Sequence, residues 1–146
     1  MPPPSDPERV VAAALSWLGT PYHDQASVRG VGCDCLGLAR GVWREVVGPE
    51  PITPPPYTRD WGEVGARETF AETVRPIMIE IDPGAAGPGA LVLFRMRAGA
   101  PAKHCGILIG RRTHFVHAYE RAGVVAVPYD RAWARRAAFA FLYPAK

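Results

Sequence analysis

Apolar positions change their rhythm about halfway along the chain. In the first half they recur at helical spacing. Val10, Val11, Ala14, Leu15 and Leu18 follow Ser5-Asp6-Pro7-Glu8, and Gly19 closes the segment. That opening supplies a capping oxygen, a proline for the first turn and an acid near the positive helix end. Residues 20–34 read as a loop. A second helix is predicted over 35–47, with Leu36, Ala39, Val42, Trp43 and Val46 on its buried face and Gly48-Pro49 as its stop. The proline-rich stretch 49–57 reads as an extended surface loop, and a third helix is predicted over 63–74, ahead of Pro76. The second half holds short apolar runs between turn residues: Leu91-Val92-Leu93-Phe94, Cys105-Gly106-Ile107-Leu108-Ile109, Phe115-Val116-His117-Ala118 and Val124-Val125-Ala126-Val127. These predict strands of an antiparallel meander. A short strand over 78–81, a helical turn over 130–135 and a last strand over 138–142 complete the set. Helices first and strands after is the α+β order. No internal repeat divides the chain, so residues 1–146 read as one domain, with 1–5 as a loose proline-rich tail.

Composition narrows the function classes. A chain of 146 residues, 48% hydrophobic and 21% charged, suits one soluble globular domain. The net charge is +3, and the basic residues are nearly all arginine, Lys103 and Lys146 being the only lysines. They are scattered and form no run, which argues against nucleic acid as partner and suits an anionic polymer such as a bacterial wall. No apolar run approaches a membrane span, and the N-terminus lacks the basic start and apolar stretch of a signal peptide. The expectation is synthesis in the cytoplasm, with delivery by something else if the chain acts elsewhere. Three cysteines, an odd number without an export signal, argue against a disulfide framework.

The candidate chemistry centres on Cys35. Gly30 and Gly32 let the preceding loop turn sharply, and a cysteine opening a helix meets unpaired backbone N–H groups that favour thiolate. The same groups suit an oxyanion. Gly37 reads as room beside the sulfur for a substrate backbone. A cysteine nucleophile needs a base, and the base an orienting group. His104 and His117 fall on adjacent predicted strands, where both imidazoles can share a face. Period two turns Cys105 and His114 the other way. Cys35, His104 and His117 therefore form a Cys-His-His candidate. Cys33, Cys35, His104 and His117 also make an acceptable zinc set, although C-x-C is not the usual ligand spacing. Cys33 and Cys105 otherwise read as buried thiols, His23 and His114 as incidental, and Trp17, Trp43, Trp61 and Trp133 as packing residues.

Five motifs then carry a resemblance. Leu18-Gly19-Thr20-Pro21-Tyr22, Asp34-Cys35-Leu36-Gly37-Leu38, Pro88-Gly89-Ala90-Leu91-Val92-Leu93-Phe94, His104-Cys105-Gly106-Ile107-Leu108-Ile109-Gly110 and Phe115-Val116-His117-Ala118 occur in that order. They closely resemble the NlpC/P60 family of cell-wall cysteine peptidases, above all its short members encoded with tails of phages and gene transfer agents. The resemblance spans about residues 8 to 142. It implies a papain-like α+β fold and hydrolysis of amide bonds in peptidoglycan stem peptides, often between D-glutamate and a diamino acid. It implies Cys35 as nucleophile, His104 as general base and His117 as the orienting residue, with neither metal nor cofactor. Tyr22 matches a family tyrosine near the thiol, and also reads as a packed aromatic. Asp34 matches a position that helps hold a substrate amine in some members, and also reads as a helix cap. The sequence departs from the family pattern at Leu36 (usually Ser), Cys33 (often Ser or Phe) and Ala90 (usually Asp), none of them a triad position. The implied partners are stem peptides and the tail hub or baseplate proteins of a phage-like particle, which would bring the chain to the periplasmic wall. The alternative is a tail-tip module that keeps the fold for binding alone.

Overall fold

The computed structural model describes residues 2–52 and 67–146. Its elements in chain order are α1 (Pro7–Leu15), β1 (Ser27–Val28), β2 (Gly32–Cys33), α2 (Cys35–Val46), α3 (Thr69–Val74), β3 (Ile79–Ile81), β4 (Leu91–Phe94), β5 (His104–Ile109), β6 (His114–Tyr119), β7 (Gly123–Pro128), α4 (Arg131–Arg136) and β8 (Ala137–Leu142). A six-stranded antiparallel sheet runs in the order β3-β8-β4-β5-β6-β7. The predicted meander is therefore β4 to β7 only, because β8 returns to lie between β3 and β4. The fold is α+β, with helices packed on an antiparallel sheet.

Side-chain alternation gives the sheet two covered faces. Leu91, Leu93, Cys105, Ile107 and Val116 pack toward Leu38, Val42 and Trp43 of α2 and toward α1. Val92, Phe94, Leu108 and Phe115 face the other way, where Tyr129 and Trp133 lie against them. Among α1, α2 and α3 the apolar stripe of α2 supplies the most buried residues, and each fully buried Leu or Val on it contributes about 1.5–3 kcal/mol. At its C-terminal end Tyr143 donates its hydroxyl to the Ala39 carbonyl at 2.8 Å, tying the chain end to the middle of the helix.

Several expectations need adjusting. α1 ends at Leu15, so Leu15 and Leu18 are 39% and 44% exposed, and Trp17 takes the buried place instead. The loop 20–34 contains the small ribbon of β1 and β2. Pro3 to Ser5, expected in a loose tail, pair with the C-terminus: Ser5 N donates to Tyr143 O at 2.8 Å and Ala145 N to Pro3 O at 2.7 Å. α3 covers the later part of its predicted span, residues 63–66 of which lie outside the described residues, as do 53–57 of the proline-rich stretch and Trp61. Among the described residues no helix is long and apolar enough to cross a membrane.

Candidate active site

The start of α2 is built by its own preceding loop. Asp34 is the N-cap, buried, with Oδ1 accepting the Gly37 amide at 2.7 Å and Oδ2 accepting the Gln25 amide at 2.7 Å. Ser27 Oγ donates to the Gly37 carbonyl at 2.6 Å, and Asp34 N donates to the Ala26 carbonyl. The expectation that Gly37 leaves space for substrate is corrected here. A Cβ at position 37 would lie 1.9 Å from the Ala26 carbonyl oxygen, so the missing side chain accommodates the protein's own loop. The capping reading of Asp34 is thus realised in hydrogen bonds; a carboxylate has further lone pairs, so the cap does not use up its acceptor capacity.

Cys35 follows as the first residue of α2 and is half-buried. Its Sγ lies 3.8 Å from the Lys103 carbonyl oxygen, at the edge where β5 begins. Its thiol is held well below the ordinary range. The neighbouring Cys105 thiol is the largest cause, burial opposes it, and His104 and the Cys105 amide add to the lowering. Cys105 is itself buried, with Sγ 3.2 Å from the Cys35 carbonyl oxygen, and burial with the neighbouring Cys35 pushes its own thiol up. Cys105 was read from sequence as simple core; it is core, and it also touches the candidate nucleophile.

His104 and His117 meet through Nε2 and Nδ1 at 2.8 Å, with ring planes at 79°. The register Ile107↔Val116 sets Gly106 beside His117, so the His117 ring reaches His104 along the diagonal. Glycine makes this possible. A Cβ at position 106 would fall 2.6 Å from Phe115 Cδ2 and 3.2 Å from His117 Cβ. His117 is 3% exposed, and burial first, then the charge of His104, pushes it down to about 3. It is therefore neutral at physiological pH. Which ring donates across this contact is set by the tautomer; where His104 donates Nε2–H to a neutral His117, its Nδ1 is the nitrogen left to accept a proton. The three residues singled out from sequence are thus brought together, as a thiol with a lowered proton affinity beside a hydrogen-bonded imidazole pair.

The remaining candidates fall around this cluster. Tyr22 is half-buried and bridges Cys33; burial, then the charges of Cys35, Asp34 and Asp24, raises its phenol, which stays protonated. Cys33 is fully buried and pushed up to about 12 by burial and by the charge of Asp34 and Cys35. Among the described residues no group of three His, Cys, Asp or Glu side chains is placed to hold a metal ion. Leu36 points into an apolar cavity of about 180 Å³ lined also by Ala39, Trp43, Met78 and Leu91. His23 and His114 are exposed and outside the cluster. Trp133, assigned only a packing role from sequence, has its ring centroid 5.4 Å from that of His117 and 6.1 Å from that of His104. No sequence signal marks it, because α4 and the strands it meets are brought together only by the tertiary fold.

No protein-family profile matches the chain. No curated protein matches it either. Solved structures do. The NlpC/p60 domain of the peptidoglycan hydrolase SagA superposes with a TM-score of 0.60 at 22% identity, over 93% of this chain and 97% of that one. An NlpC/P60 family protein from Bacillus cereus gives 0.65 at 19% identity, over 97% of this chain and 41% of that one. A protein from Staphylococcus aureus described as similar to lipoprotein, NLP/P60 family, gives 0.63 at 23%, over 99% and 44%. The chain thus spans nearly all of the first and less than half of the other two. The helix-capped thiol, the antiparallel sheet behind it and the shape these structures share give the chain the NlpC/P60 fold.

Proposed function

We propose that this protein is a cysteine peptidase that hydrolyses amide bonds in peptidoglycan stem peptides, between D-glutamate and the diamino acid. The observation that carries the reading is the Cys35 thiol, lowered in proton affinity at the start of α2, beside the 2.8 Å His104–His117 pair. The NlpC/P60 fold shared with a peptidoglycan hydrolase domain supports the substrate class. In this reading His104 Nδ1 takes the Cys35 proton and the thiolate adds to the scissile carbonyl carbon. Backbone N–H groups at the start of α2 face the oxyanion. The tetrahedral intermediate collapses, His104 gives its proton to the leaving amine, and an acyl-enzyme remains. Water, deprotonated by His104, then releases the acid and restores the thiol. His117 holds the His104 ring throughout. Tyr22 and Asp34, beside the thiol, contact the stem peptide's amine end. No step requires a metal or cofactor. The chain reaches the periplasmic wall as part of a phage-like tail, with hub or baseplate proteins as neighbours.

The test is digestion of purified peptidoglycan by wild type and Cys35→Ala, with mass spectrometry of the soluble fragments and a parallel digest in EDTA. Fragments from wild type only, undiminished by EDTA, are expected, and their masses name the bond. Fragments from a folded Cys35→Ala protein would refute the nucleophile assignment. Fragments from neither would favour a binding module.

A further inference from the structure

α4 is a six-residue helix, too short to hold its shape alone. All its residues are exposed except Trp133. Its ends are fixed from outside. Asp130 Oδ1 accepts the Trp133 amide at 3.0 Å, Tyr129 N donates to Thr113 O at 2.9 Å, and Arg95 N donates to Arg136 O at 2.8 Å. The Arg136 guanidinium lies 5.2 Å from the indole centroid. From this clamp the indole meets Phe94 at 5.1 Å, Phe115 at 4.9 Å, His117 at 5.4 Å edge-on and His104 at 6.1 Å between centroids. Phe94 and Phe115 also touch each other at 5.3 Å, so the two imidazoles are backed by a closed aromatic group.

We propose that Trp133 is a positioning residue for the His104–His117 pair: its indole, clamped by α4, holds both rings in their T-shaped arrangement and keeps water off the hydrogen bond between them. The inference rests on reading His104 and His117 as base and orienting group. An indole covers a large area with few rotatable bonds, so it excludes water without demanding a second partner. Water admitted to the His117 ring would stabilise its charged form. Among the described residues, the titratable and charged groups near His117 include His104 on β5, Tyr119 on β6 at 6.0 Å between centroids, and, beyond the indole, Arg136 on α4 and Tyr129 before it. Burial and the charge of His104 are what act on its proton, and both disfavour the charged form. Its neutrality therefore depends on cover, and among the described residues Trp133 is the partly exposed ring in contact with both imidazoles.

The experiment follows the histidine rings by nitrogen NMR against pH in wild type, Trp133→Phe and Trp133→Leu, and measures the pH dependence of Cys35 alkylation by iodoacetamide in the same proteins. Neither readout needs peptidoglycan, so failure to digest the wall would not be mistaken for failure here. Wild type is expected to show a ring N–H protected from solvent exchange and a His117 that stays neutral to about pH 4. Trp133→Leu, which stays apolar but removes the aromatic face and much of the covering bulk, is expected to lose that protected proton and to raise the His117 midpoint by about one unit or more, a tenfold change in protonation. Trp133→Phe is expected to restore most of both. Absence of the protected proton in wild type, or a folded Trp133→Leu protein with its His117 midpoint and alkylation profile unchanged, would overturn the assignment.

Discussion

Replacing Gly106 by alanine puts one methyl group where the His pair is assembled. The new Cβ would stand 2.6 Å from Phe115 Cδ2, 3.0 Å from the Val116 carbonyl oxygen and 3.2 Å from His117 Cβ. Carbon pairs rest at about 3.5–4.0 Å, so Phe115 must retreat by roughly 1 Å. It has nowhere to go: it is fully buried, with Phe94 at 5.3 Å, Trp133 at 4.9 Å and Tyr129 at 5.7 Å between centroids. Overpacking of this kind costs about 1–3 kcal/mol, or roughly 2–12 °C in Tm for a domain of this size. The His117 backbone gives way with it, and the 2.8 Å bond to His104 is stretched. Losing that bond removes about 0.5–1.5 kcal/mol of support for the base, about a 2- to 13-fold fall in kcat/KM. Differential scanning calorimetry and fragment release from peptidoglycan measure the two effects. Gly87→Ala is the control, since a Cβ there meets nothing within 4 Å. If Gly106→Ala melts and cleaves like Gly87→Ala, the claim that glycine clears the way for the imidazole pair is wrong.

Three further outcomes follow from the site. Cys35 should be alkylated with a midpoint well below the ordinary thiol value of 9.0, with Cys33 and Cys105 silent at neutral pH; Cys105→Ala should move the midpoint up, and an unchanged profile would remove the thiol contact as its cause. His117 titrates near 3 folded and near 6.5 unfolded, so its contribution is complete above about pH 6.5 and is lost as pH falls toward 3, because only the unfolded chain takes up the proton. Urea unfolding should show up to about 1.4 kcal/mol lost per pH unit in that window, and His117→Gln should flatten that part of the curve. Asp34→Ala should destabilise by about 1–3 kcal/mol, since it removes the cap on Gly37 and orphans the Gln25 amide, and Asp34→Asn should recover part of it in the same urea titration.

The helices and strands were legible where local chemistry decides them. Asp34-Cys35 with the apolar stripe Leu38, Val42 and Val46 specifies a capped helix, and each short apolar run between turns became a strand. Period two set His104 and His117 on one face and turned Cys105 and His114 away, but it was the five-motif resemblance that joined them to Cys35. Sequence periodicity could not place β8 beside β4, since a pairing across the sheet leaves no local pattern. It also assigned Leu15 and Leu18 to a buried stripe that stops one turn early, where Trp17 wins the core position. The tasks of Gly106, Cys105 and Trp133 stayed hidden for one reason. Each acts through a residue distant along the chain, and an approach of 2.6 Å or 3.2 Å exists only after the sheet has closed.

The thiol and its partners ride on different layers. Cys35 opens α2, while the backbone oxygen and sulfur-bearing residue it meets, Lys103 and Cys105, stand 68 and 70 positions further on. An unfolded or half-docked chain therefore carries an ordinary cysteine, and the lowered thiol appears only when α2 seats against β5. A labelling time course during refolding, read at Cys35 near neutral pH, would follow that docking with the protein's own thiol as the clock. The same linkage makes the site self-arming: an unfolded chain carries three ordinary thiols, the lowered one appears only with the fold, and no separate inhibitor is needed to hold it off before then.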